Sequence, residues 1–209
     1  MIDSFSWRDI PGHFDFHDLY VEAVASAPAH AHFAENGVML GRSACFMAEA
    51  IGASRKQIVF DAIDSFAWSF DAILATGPYV THPRMQIYYT RSPPEFWQVL
   101  VDKGSTFEAA KYCLERAGVA AHVNLIRRSG QAQAVNYVDG SLDFVFVDAE
   151  HTYNDTVELL RSYLPKVRPG GVLAGHDFTN EFPGVVEAVC DVLGRVEVRG
   201  HSFVYRKQI

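Results

Sequence analysis

The sequence predicts an α/β protein: a doubly wound, mostly parallel sheet of seven strands that ends in an antiparallel hairpin. Three observations carry this expectation. Short apolar runs recur along the chain, several ending on an acid; stretches of helical periodicity separate them; and the last two runs are joined only by Gly200-His201. The clearest unit runs from Ser141 to Phe178, SLDFVFVDAEHTYNDTVELLRSYLPKVRPGGVLAGHDF. Its first run, Leu142 to Val147, is bounded by turns and suits a strand buried on both faces. Tyr153, Val157, Leu160 and Leu164 then fall at helical spacing, i, i+4, i+7 and i+11. Pro165, Pro169, Gly170 and Gly171 break the helix, and Val172 to Ala174 begin another strand that ends on His176-Asp177.

The remaining elements follow in chain order. Residues 1–34 read as a helical lead-in with a Pro11-Gly12 turn and apolar surface from Phe14, Phe16, Leu19, Tyr20, Val21 and Val24. Such a segment packs across the top of the sheet or caps its edge. His30 and His32 read as a solvated loop pair rather than metal ligands, since i,i+2 residues of a helix do not face each other. A strand over 32–35 leads into a glycine turn from Asn36 to Gly41, then a helix over 43–51 with Ser43 in the capping position. Gly37 and Gly41 let the backbone take positive φ and approach a ligand, and the helix offers its first amides to that ligand. Ile58 to Ile63 form a second strand ending on Asp64, with Asp61 inside it as a structural acid or a lesser site candidate.

Residues 65–106 are dense in aromatics, Pro and Gly. They read either as an acceptor-side insertion or lid, or as a helical excursion with its own small core. An amphipathic helix over 106–117, a strand over 123–126 and the loop RRSGQAQA follow. Ser129 or Gln131 of that loop contacts the far end of a cofactor, or the loop is uncommitted. A last helix over 183–193 and strands over 195–199 and 202–206 close the sheet.

A right-handed crossover makes the strands before Asp148 and Asp177 parallel, so both acids lie at one sheet edge. Open α/β sheets bind ligands at that edge. With His151 and His176 beside them, the pair suits a divalent cation plus a base. Each acid alone equally suits a helix N-cap or a turn. Asp64, a carboxylate ending the strand after a glycine turn, stands where such folds hold the hydroxyls of a ribose.

Bulk properties narrow the classes. A chain of 209 residues, 49% hydrophobic and 21% charged, fits one domain, residues 1–209, with a sizeable core. A net charge of −7 and the lack of a Lys/Arg cluster beyond Arg127-Arg128 argue against nucleic acid as partner. No apolar run approaches membrane-spanning length, and no basic segment precedes an apolar stretch at the start, so neither a membrane span nor a secretory signal is expected. Cys45, Cys113 and Cys190, far apart and without a CxxC pair, read as reduced, mostly buried thiols of a cytoplasmic protein. The absent GxGxxG counts against a nicotinamide enzyme.

ENGVMLGRS, SLDFVFVDAEHTY and RPGGVLAGHDF, with the acid after the second strand and the terminal hairpin, resemble the class I S-adenosylmethionine-dependent methyltransferases. More narrowly they are similar to the small O-methyltransferases of the macrocin, sugar and antibiotic group. The resemblance runs from about Trp7-x-x-Ile10-Pro11-Gly12 to the end and is thin over residues 65–106. It implies a Rossmann-like fold, S-adenosylmethionine as cofactor, and methyl transfer to a hydroxyl of a small acceptor, a sugar or an aromatic diol. Glu35, Gly37, Gly41 and Ser43 would line the methionine part, Asp64 the ribose, and Ser129 and Asp148 the rest of the cofactor site. Asp148, His176 and Asp177 would hold Mg²⁺ or another divalent cation, and His151 would be the base. The sequence departs from the family at Asn36, where an apolar residue is usual, and at His176, where some members have a third carboxylate. Imidazole suits Mg²⁺ poorly. A catalytically inactive cofactor-binding partner of the same fold is the alternative those departures favour. The acceptor and any homo-oligomeric state, for which the aromatics of 65–106 offer surface, have no readable code.

Overall fold

In the computed structural model, residues 5–76, 92 and 95–208 are described. The strands are β1 (His30–Asn36), β2 (Gln57–Asp64), β3 (Asn124–Arg127), β4 (Leu142–Val147), β5 (Val167–Gly175), β6 (Glu197–Arg199) and β7 (Ser202–Arg206). They form one seven-stranded sheet in the order β3-β2-β1-β4-β5-β7-β6. The pairs from β3 to β5 are parallel; β7 runs antiparallel to both β5 and β6. The helices are α1 (His17–Ser26), α2 (Arg42–Ser54), α3 (Phe70–Thr76), α4 (Glu95–Val101), α5 (Thr106–Arg116), α6 (Gly130–Ala134), α7 (Tyr153–Tyr163) and α8 (Pro183–Leu193).

The sheet is covered on both faces, because its central strands carry apolar residues at successive positions. From β4, Phe144 and Phe146 join α1, α2 and α5 in one core, while Val145 and Val147 join α7 and α8 in the other. On the first face Tyr20, Phe33, Met47 and Leu114 are almost wholly buried; on the second, Tyr163, Leu160 and Phe203 are. The chain order reverses between β1 and β4, so the helices diverge there and leave a crevice at the carboxyl ends of the strands. Backbone bonds lace that edge. The Asp148 N–H donates to the Asn36 carbonyl at 2.7 Å, Gly37 N–H to Ile63 at 2.9 Å, and His176 N–H to Val147 at 3.0 Å.

Several sequence expectations change. The lead-in is helical only over a 3₁₀ turn at Trp7–Asp9 and α1, and β1 already starts at His30. His30 and His32 are therefore strand residues, and His32 Nε2 lies 2.9 Å from Asp61. That acid also accepts from Tyr137 Oη at 2.7 Å and Asn124 Nδ2 at 2.9 Å, which fits the structural reading of Asp61. The Pro-Gly-Gly segment is not a turn before β5 but a bulge within it. Pairing jumps from Leu142–Val167 to Phe144–Val172, so Pro169, which has no N–H, escapes the ladder there. The RRSGQAQA loop contains helix α6, capped by Ser129. Cys45 and Cys113 are buried, but Cys190 is exposed on α8. The insertion or lid reading of 65–106 falls partly on 77–91, 93 and 94, outside the described residues. Among the described residues no helix is long and apolar enough to cross a membrane.

Candidate active site

A cavity of about 640 Å³ opens at the crevice between β1 and β4, within the range that holds small-molecule ligands. One half is built by the turn after β1 and the end of β2. Gly37 takes φ +97° and Gly41, the N-cap of α2, φ +90°. Asp64 seals this turn: Oδ2 accepts from the Val38 and Met39 amides at 2.8 and 2.9 Å, and Oδ1 from Phe66 at 2.6 Å. A carboxylate has about four lone-pair sites, two on each oxygen, so Oδ1 keeps capacity for one ligand hydroxyl. Ser129, Gly130 and Gln131 at the start of α6 continue the wall.

Asn36 stands out in this half. It lines the cavity and is 1% exposed, and its side-chain amide lies beside the buried Tyr163 hydroxyl. The sequence flagged Asn36 as a departure without suggesting what it does.

The other half gathers acids and imidazoles from three strand ends and the N-terminal segment. His151 Nε2 lies 2.6 Å from Asp177 Oδ2, and His176 Nδ1 lies 3.0 Å from Asp177 Oδ1. Asp148, His151 and Asp177 each present one donor atom, all within 4.8 Å of one another. Asp177 has φ +58°, uncommon for a residue with a side chain, and this turns its carboxylate toward His151. Enclosure at the cavity floor, with Asp177 nearby, pushes the Asp148 carboxyl up to about 6 against the pull of His176. Burial also acts upward on Asp177, but hydrogen bonds from His151 and His176 outweigh it and hold this acid well below the usual range. The same bond to Asp177 raises the His151 imidazole above its ordinary value. Burial opposes the His176 imidazolium, yet Asp15 and Asp177 at its two ring nitrogens raise it to about 10.

The expected site residues separate into those that meet and those that do not. Gly37, Ser43, Asp64, Ser129, Asp148, His151, His176 and Asp177 all line the cavity. Glu35 and Gly41 do not; they lie behind the turn. Glu35 is 1% exposed and accepts a hydrogen bond from Ser43 Oγ, and burial pushes its carboxyl up to about 8. Ser43 is therefore the partner of Glu35 and not the cap of α2. His176, expected in a metal set with Asp148 and Asp177, also faces a second group. Its Nε2 points to Asp15 Oδ1 at 2.9 Å, and it groups with His13 and Asp15 rather than with Asp148. Its other nitrogen, Nδ1, lies 3.0 Å from Asp177 Oδ1, so the ring stands between the two acids, Asp15 and Asp177. Sequence reading missed His13, Asp15 and His201; only the chain's return over the sheet edge brings them there. The signal available was the polar H-x-D interruption of an otherwise apolar GHFDF stretch.

The strand order, the glycine turn with its sealing carboxylate, and the acid-imidazole wall together define a class I methyltransferase architecture. The methyltransferase domain family matches residues 34–178, and the chain belongs to that family. It is an enzyme of the S-adenosylmethionine-dependent methyltransferase class. No curated protein matches it in sequence. Among solved structures, the O-methyltransferase from Bacillus cereus in complex with S-adenosylhomocysteine is similar, with a TM-score of 0.59 and 15% identity, over 95% of this chain and 84% of that one. CalS11, a TDP-rhamnose 3′-O-methyltransferase of calicheamicin biosynthesis, gives a TM-score of 0.54 and 16% identity, over 91% of this chain and 76% of that one. A methyltransferase from Geobacter sulfurreducens gives 0.58 and 15%, over 95% and 81%. At these identities the likeness is one of fold.

Proposed function

We propose that this enzyme moves the methyl group of S-adenosylmethionine to a hydroxyl of a small acceptor, a sugar or an aromatic diol. The observation that carries this reading is the His151–Asp177 pair beside Asp148, on the wall of the cavity whose other wall is the Gly37–Asp64 turn. The cofactor fits the residues present. Asn36 presents a buried amide at the cavity wall, Asp64 Oδ1 keeps acceptor capacity for a ribose hydroxyl, and Arg42 and Ser43 at the start of α2 line the cavity. The turn from Gly37 to Ser43 would hold the methionine part, and Ser129 with Gln131 the far end. The names of CalS11 and of the Bacillus cereus protein, both O-methyltransferases, support an oxygen acceptor.

Methyl transfer from a sulfonium is an in-line displacement, and a neutral hydroxyl is a weak nucleophile, so the site must take its proton. Asp177 is ionised and accepts from His151 Nε2–H, which leaves Nδ1 as the basic nitrogen of the neutral ring. His151 sits half-exposed at the cavity and is the proton acceptor in this reading. Asp148 orients the acceptor hydroxyl and the cofactor side of the wall. Asp148 and Asp177, with the His151 imidazole in reach, also fit a divalent cation: the donor set is two carboxylates and one nitrogen, and burial, with Asp177 nearby, already pushes Asp148 up. Such an ion, when bound, supplies Lewis-acid polarisation of a diol's oxygens. The chain's net charge of −7 speaks for a small acceptor over a phosphate backbone.

Formation of S-adenosylhomocysteine across a panel of catechols, sugar diols and matched amines tests this. Turnover of a hydroxylated member, with kcat about 10²–10⁴-fold lower in His151→Ala, is the expected result. Methylation of amines alone, or a His151→Ala variant as fast as the parent, would contradict the reading.

A further inference from the structure

We propose that His13, Asp15 and His176, with His201 at the rim, form a second cation site for a late first-row divalent metal of the zinc class. It lies at the cavity mouth and is separate from the Asp148–His151–Asp177 group. Asp15 is its centre. His176 Nε2 lies 2.9 Å from Asp15 Oδ1, His201 Nδ1 lies 3.0 Å from Oδ2, and His13 Nε2 lies 3.9 Å from the same oxygen. One donor atom each from His13, Asp15 and His176 lies within 4.8 Å of the other two. Ligands about 2.0–2.1 Å from a tetrahedral zinc ion stand roughly 3.3–3.4 Å apart, so small side-chain rotations bring this set onto one ion.

The donor chemistry points the same way. A single carboxylate faced by three imidazoles is a nitrogen-rich set, which suits Zn²⁺, Co²⁺ or Ni²⁺ and not Mg²⁺. An independent feature is the far nitrogen of His176. Nδ1 lies 3.0 Å from the Asp177 carboxylate, the arrangement that fixes the tautomer of ligating histidines and aims Nε2 at the metal. The ring is also held in place: it is 5% exposed and lies against Phe16, with ring centroids 5.1 Å apart. His13 and His201 are exposed, which gives an ion a route in and leaves room for an exogenous oxygen ligand.

The three contributing segments are distant in sequence, 161 residues separating Asp15 from His176 and 186 separating it from His201. A bound ion would therefore tie the segment before α1 to the β6–β7 turn across the cavity mouth. It would also communicate with the inner group through His176–Asp177.

The test is a Co²⁺ titration of the chelator-treated full chain, followed by visible d–d absorption and then by Zn²⁺ competition. We expect one equivalent bound at micromolar Co²⁺, displaced by Zn²⁺, and spectrally unchanged in Asp148→Asn. His13→Ala and His201→Ala change exposed side chains, and circular dichroism melts establish that they fold; we expect each to weaken binding at least about tenfold. Asp15→Asn should abolish it. Three results would each overturn the proposal: no Co²⁺ or Zn²⁺ bound at micromolar concentration, bands lost in Asp148→Asn, or bands that survive in folded His13→Ala and His201→Ala. In that event the cluster is an ion-pair network only.

Discussion

At Gly37 the backbone has φ +97°, and a Cβ there would overlap the Asp148 carbonyl oxygen. Both conditions demand glycine. Sequence reading expected close approach to a ligand at this position; the close approach is to the next strand's end. Gly37→Ala should cost on the order of 3 kcal/mol or more, read as a shift in denaturant midpoint. Glu35 gives a pH prediction at the same scale. Its carboxyl rises from an ordinary 4.5 to about 8 on folding. The native state thus binds more protons than the unfolded chain between those values, and the stability this group contributes falls as pH rises through that window. Glu35→Gln keeps the acceptor for Ser43 but cannot ionise, so it should gain on the parent by up to a few kcal/mol from pH 5 to pH 8. Parallel melts at the two pH values check this, and an equal pH slope in both proteins would contradict it. Of the residues expected to be functional, those at strand ends were legible because a strand's end is visible as an apolar run stopping on an acid. Side-chain direction was not, and this is why Glu35, expected to line the cofactor site, lies behind the turn: one residue along a strand reverses the face.

Element by element, β4–α7 was the most readable, since period and breakers agree there. Val145 and Val147 anchor the strand, Thr152 caps the helix by accepting from Asp155 N at 3.2 Å, and the cap fixes the turn that carries His151. Thr152→Ala should lower stability by about 1 kcal/mol and reduce turnover more than cofactor affinity, because the nearest site residue is His151, the proposed proton acceptor. Kinetics beside equilibrium unfolding separate the two effects; a loss confined to cofactor affinity would go against the assignment. By contrast β5 was cut short at Val172, because a Pro-Gly-Gly sequence reads as a stop. Its continuation depends on pairing with Leu142 across the bulge, a contact that no local pattern encodes. Helix α6 was missed for a related reason. Five residues of mixed polarity carry no period, and Ser129 reads as a cap only once Ala132 N is seen to donate to it at 3.3 Å.

For the whole molecule, alternation of strands and helices was enough to predict the sheet, and the crossover rule placed Asp148 and Asp177 on one edge. What it left out is the third wall. Arg42 Nη1 donates to the Ile10 carbonyl at 2.7 Å, and Phe16 packs on Phe146 with ring centroids 4.4 Å apart. These long-range contacts draw residues 7–16 over the cavity and deliver His13 and Asp15. A ligand seated there binds only the folded chain, so saturating S-adenosylhomocysteine at 100 times its dissociation constant should stabilise the protein by about 2.7 kcal/mol. Calorimetric titration of S-adenosylhomocysteine into the parent and into Asp64→Ala is the most direct measurement of the central claim, that the β1–β4 crevice is the cofactor site. Micromolar, one-to-one binding that disappears in folded Asp64→Ala is the predicted result. An absence of binding to the folded parent, or equal affinity in the two proteins, would contradict it.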